Sequence, residues 1–103
     1  MGGETTWTKL RVLIVDRDSE RVRELRTTLE RAGHVVAGWA DGQSEGYERA
    51  REVHPDAVLV DVELAEGDGL ALADDLSQAG IGPVLVIANQ VRPDLARRAG
   101  GFF

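Results

Sequence analysis

Two apolar runs in this chain each end on an aspartate: RVLIVD, closing at Asp16, and AVLVD, closing at Asp61. If the two runs are neighbouring strands of an open α/β sheet, both carboxylates emerge at its carboxyl edge, where such sheets bind their ligands. Two carboxylates brought together there repel, which raises the pKa of one of them unless a cation intervenes. Hard oxygen ligands at such a point suit Mg²⁺. A carboxylate beside that ion can also act as a nucleophile toward phosphorus. A lone aspartate after a strand is usually a turn former or helix cap. Two at matched strand ends, each after a β-branched run, are harder to explain that way.

The rest of the chain must position this pair. Continuous apolar runs of strand length indicate strands buried on both faces. They are expected at 11–16, 34–40, 57–61 and 83–88. Helical spacing separates them. Asp18 or Ser19 can cap a first helix carrying Val22, Leu25 and Leu29, with Gly33 as its stop. Ser44 can cap a second helix through Val53, and Leu70, Ala73 and Leu76 begin a third that Gly80 closes. Pro93 suits the first turn of a short fourth helix ending at Ala99, and Gly-Phe-Phe reads as the start of a fifth strand. Alternating strands and helices predict a doubly wound α/β fold with a parallel sheet covered on both faces. Residues 1–9 read as a flexible leader and 10–103 as one domain.

Composition narrows the function. The chain has 103 residues, a single-domain length, and 43% of them are hydrophobic, enough for a globular core. Its net charge of −6 repels phosphate backbones, so direct nucleic-acid binding is not expected. With no cysteine, there is no disulfide framework, thiolate metal site or cysteine nucleophile. No apolar run approaches bilayer length and no signal peptide is evident, so the expectation is a cytoplasmic protein without membrane contact. His34 and His54 lack paired ligand spacing. Gly67-Asp68-Gly69 lacks the Gly-Lys-Ser/Thr ending of a phosphate loop and reads as a turn. Trp39 reads as a packing residue.

The segments VLIVDRDSE (12–20), AGWADGQSE (37–45), PDAVLVDVELAEGDGL (55–70) and PVLVIA (83–88) resemble the receiver domains of response regulators in two-component signalling. The third is the most specific, with strand, acid, loop and Gly-Asp-Gly at the family spacing. The resemblance runs from about residue 10 to the last residue. It implies a CheY-like sheet in the order 2-1-3-4-5, here with an incomplete fifth strand and no fifth helix. It also implies that Asp61 is the phosphoacceptor for a histidine kinase or phosphotransfer protein. Mg²⁺ would be held by Asp16, Asp61 and the backbone carbonyl of Glu63.

The chain departs from the pattern in several places. Arg17 stands where the second acid of the metal-binding pair is expected. It either bridges Asp16 or Asp61 and partly replaces the ion, or points into solvent. Ala88 stands where the family has a Ser or Thr that bonds the phosphoryl group, a charge-assisted bond worth about 1.5–3 kcal/mol. The family lysine after the fifth strand is absent, since the one lysine is Lys9. Arg97 and Arg98 read as solvated charges. The incomplete C-terminal edge would expose apolar surface, covered by a partner, a second copy or more chain.

Three functions follow. The first is a phosphorelay receiver that regulates an unknown output partner. The second is a pseudo-receiver, a protein-interaction module independent of phosphorylation, favoured by Arg17, Ala88 and the missing lysine. The third rests on Asp16-Arg17-Asp18, which resembles the Asp-x-Asp motif of haloacid dehalogenase-type phosphatases. The chain is short for that fold and has no catalytic lysine, so an enzyme is not expected.

Overall fold

The computed structural model of the chain describes residues 8–88. In chain order these form β1 (Arg11–Val15), α1 (Ser19–Arg31), β2 (Val35–Ala40), α2 (Gln43–Val53), β3 (Ala57–Asp61), α3 (Gly69–Gln78) and β4 (Val84–Ile87). The strands form one parallel sheet in the order β2-β1-β3-β4. The expected fourth helix and fifth strand, with Arg97 and Arg98, lie outside the described residues, as do Trp7 and most of the leader.

Burial on both faces follows from the strand period of two. Leu13 and Val15 of β1 face α2 and α3, in a cluster with Ala50, Val58, Val60, Leu64, Leu72 and Leu76. Val12 and Ile14 face the other way and pack with Val22, Leu25 and Leu29 of α1. Leu59 shares that second face and its register partner is Leu85, which is 58% exposed. The sheet is therefore well covered on the α2–α3 side and thinly covered at β4 on the other, among the described residues.

Local signals set most boundaries. The Asp18 carboxylate accepts from the N–H groups of Glu20 and Arg21, capping α1. Gly33 and Gly80, both at positive φ, follow the ends of α1 and α3. Ser44 is not the cap of α2. That helix starts at Gln43, with Gly42 as its cap residue. The carbonyl and carboxylate of Glu66 accept from the Gln43 and Ser44 N–H groups, so a distant loop satisfies this helix start. β2 begins one residue later than expected: the His34 N–H still donates to the Leu29 carbonyl at the end of α1, and the Val35 N–H is the first to reach β1, at the Leu10 carbonyl.

The register decides where the acids go. Val12 pairs with Ala57 and Val15 with Val60 across β1 and β3. One residue further on, the same alignment brings Asp16 level with Asp61, at the carboxyl edge of the two central strands.

Candidate functional site

Among the described residues, Asp16 and Asp61 are the two buried charged ones, at 1% and 4% exposure. Their backbones are fixed by the sheet. The Asp16 N–H donates to the Ala40 carbonyl, and the Trp39 indole N–H donates to the Asp16 carbonyl at 2.9 Å. Trp39 is thus 40% exposed and acts as a tether, not as the packing residue expected from the sequence. The Asp16 carboxylate accepts from the Asp18 N–H at 2.8 Å.

A single nitrogen joins the pair. Arg21 Nη1 lies 3.5 Å from Asp16 Oδ2 and 3.4 Å from Asp61 Oδ1. Its other terminal nitrogen, Nη2, pairs with Asp18 Oδ2 at 3.2 Å. Asp18 thus caps the helix with Oδ1 and holds the guanidinium with Oδ2. The N–H groups of Arg21 and Glu20, with the Arg21 charge, keep the exposed Asp18 carboxyl below its ordinary value.

Arg17 does not bridge the carboxylates. It turns outward and pairs with Glu63 at 2.7 Å, with both side chains about half exposed. The arginine that reaches Asp16 and Asp61 is Arg21, one helical turn on, which the sequence reading passed over. A cation in the first turn of a helix opposes the helix dipole, and that mismatch was the available signal.

The other wall is the loop after β3. Gly69 donates its N–H to the Val62 carbonyl, and a Cβ there would overlap the Asp61 carbonyl, so only glycine allows this approach. Asp68 caps α3 through the Leu70 and Ala71 N–H groups. Gln43 accepts from the Asp68 N–H at 2.9 Å, and Glu66 accepts from both the N–H and the hydroxyl of Ser44. Gly67, at φ 79, makes the turn against Gln43. Ala88 follows β4 and is exposed, with no hydroxyl to offer.

Burial, and then the charge of Asp16, push the Asp61 carboxyl above its ordinary value. The Arg21 charge and the Glu63 N–H oppose this without cancelling it. Two buried carboxylates side by side offer hard oxygen donors of the kind a divalent cation takes. No group of three acidic, His or Cys side chains converges among the described residues. A metal here would draw on the two carboxylates, backbone oxygen and water, in keeping with the few protein ligands Mg²⁺ usually takes.

Residues 12–100 match the response regulator receiver domain family. The chain belongs to that family. It is 30% identical to the transcriptional regulatory protein PdtaR of Mycobacterium tuberculosis over 89 residues, covering 86% of this chain and 43% of the relative. It is 36% identical to a protein-glutamate methylesterase/protein-glutamine glutaminase of Xanthomonas oryzae, covering 82% of this chain and 24% of that enzyme. The chain therefore spans less than half the length of these relatives. Among solved structures it resembles the signal receiver domain of a modulated diguanylate cyclase from Desulfovibrio desulfuricans, with TM-score 0.85, 29% identity, and 91% and 75% of the two chains covered. The chain is thus a two-component receiver domain, and the phosphatase-like reading of Asp16-Arg17-Asp18 gives way, with Asp18 serving as cap and arginine anchor. No helix among the described residues is long and apolar enough to cross a membrane.

Proposed function

We propose that this receiver takes a phosphoryl group on Asp61 from a phosphohistidine of a histidine kinase or phosphotransfer protein. The observation that carries the reading is the buried Asp16–Asp61 pair at the carboxyl edge of adjacent strands. An Asp61 carboxylate oxygen forms the new bond to phosphorus. The phosphorus–nitrogen bond breaks, and its electron pair returns to the imidazole nitrogen, which takes up a proton. Asp16, Asp61 and the Glu63 carbonyl would hold Mg²⁺, which supplies charge neutralisation for the phosphoryl oxygens. The loop tied to α2 holds the Asp61 backbone still while this occurs. With Ala88 at the switch position, the signal passes through contacts other than a hydroxyl there. The reading implies a cytoplasmic protein whose partners are a phosphodonor protein and an output protein, with no direct nucleic-acid or membrane contact. The proposed pairing of two copies through the C-terminal edge involves residues outside those described.

The test is incubation with phosphoramidate and Mg²⁺, followed by intact mass measurement. A single phosphoryl addition is expected, absent in Asp61→Asn and without Mg²⁺. The competing reading, a pseudo-receiver that works by binding alone, is favoured by the arginine already lying on both carboxylates. An unchanged mass under these conditions would decide for it.

A further inference from the structure

We propose that Arg21 is the resident counter-ion of the Asp16–Asp61 pair and competes with a divalent cation for the same two carboxylates. The inference rests on the metal-assisted phosphoacceptor reading above and adds to it a specific internal competitor. Three observations carry it. One nitrogen, Arg21 Nη1, stands 3.4–3.5 Å from an oxygen of each carboxylate, a bridging position between two buried acids. A Mg²⁺ ion would need those oxygens at about 2.0–2.1 Å. A guanidinium in contact with both would crowd and repel it, since guanidinium keeps its charge at any ordinary pH.

The second observation is that the arginine is held in place. Asp18 caps α1, bonds the Arg21 N–H at 3.3 Å and pairs with Nη2 at 3.2 Å. The third is that the other nearby arginine does not share this position. Arg17 turns to Glu63 at the rim, so the competition belongs to Arg21. The metal-free site is thus closed by a tethered cation whose displacement accompanies metal binding. Apparent metal affinity is then reduced by the fraction of time the guanidinium occupies the pair.

Isothermal titration of the full chain with MgCl₂ tests this, comparing wild type, Arg21→Met, Asp18→Asn and Asp16→Asn. Methionine keeps much of the arginine stem and removes the charge. Asparagine at position 18 still caps a helix but no longer forms the ion pair. Arg21→Met should bind Mg²⁺ about tenfold more tightly, the factor expected if the arginine holds the pair about nine-tenths of the time. Asp18→Asn should shift affinity the same way by less, and Asp16→Asn should abolish binding. Equal or weaker binding by Arg21→Met, with Asp16→Asn still abolishing it, would overturn the competition and leave the metal-assisted reading standing. No binding by any variant would instead overturn the metal-assisted reading, and the competition with it. Circular dichroism of each variant, with thermal melts in EDTA, confirms that a folded protein is being titrated.

Discussion

The two walls of the pocket are built by different means. The wall after β1, Asp16 to Arg21, is held largely by charge: Arg21 on Asp16, Asp18 and Asp61, and Arg17 on Glu63. The wall after β3, Asp61 to Gly69, is held by backbone bonds, a close glycine approach and ties to the start of α2. Charged side chains can be exchanged or redirected while the backbone stays where it is. A backbone laced at several points cannot change its residues without moving. The chemistry of the site can therefore be altered on the first wall while the second continues to present Asp61.

The sharpest way to break this comparison is Gly69→Ala. Its Cβ meets the carbonyl of Asp61, which is backbone and cannot turn aside. Overpacking of this kind costs about 1–3 kcal/mol, and relief would require moving Asp61 itself. Urea denaturation should show that loss, together with reduced labelling of Asp61 by phosphoramidate. A variant as stable as wild type and labelled equally well would mean that this wall yields as easily as the other.

A second test concerns the charge that joins the walls. The Asp61 carboxyl is raised above its ordinary value of 3.8, chiefly by burial and then by Asp16. Well below 3.8 the group is protonated in both folded and unfolded chains and has no effect on stability. As pH rises, the unfolded chain ionises first, so stability falls until pH has passed the folded value, and above it the full penalty of Asp61 remains. In metal-free buffer, Asp61→Asn should therefore melt above wild type near neutral pH, and the gain should vanish as pH falls below 3.8. A gain that persists in acid would have another source, such as packing. A loss at neutral pH would mean that Arg21 over-compensates the pair.

The same contrast governs what could be read from the sequence. The strands, the helices and the caps at Asp18, Gly33 and Gly80 were legible, because each follows from a local period or a residue with a fixed conformational habit, whereas the strand order, and with it the meeting of Asp16 and Asp61, came only through the receiver resemblance. The contact that requires glycine at 69 emerges only from the fold, but the segment 55–70 was legible through the same resemblance. Arg21 was not. The one local hint, a cation in the first turn of α1 against the helix dipole, does not say that the side chain turns back over the sheet edge, and Arg17 stands nearer in sequence to the expected position. Gln43 and Glu66 were missed because their bonds connect residues more than twenty apart. Ser44 was misread as a cap because the partner that replaces it lies in that distant loop. Trp39 reads as packing in the sequence because an indole bond to the end of the neighbouring strand β1 leaves no periodic trace.

The smallest effect is expected at the rim. Arg17 and Glu63 meet at 2.7 Å, but their side chains are 55% and 50% exposed. A short distance between solvated charges is offset by water and by the entropy of holding two long side chains together. Arg17→Ala should therefore cost about 0.2–1 kcal/mol in urea denaturation. The cost should shrink further as salt screens the pair. Gly69→Ala, by contrast, should be nearly indifferent to salt, because its effect is steric. If Arg17→Ala instead cost as much as Gly69→Ala and did so at high salt, the rim pair would be part of the frame. The charged wall would then be no freer to change than the backbone wall, since losing one exposed arginine would disturb the loop that presents Asp61.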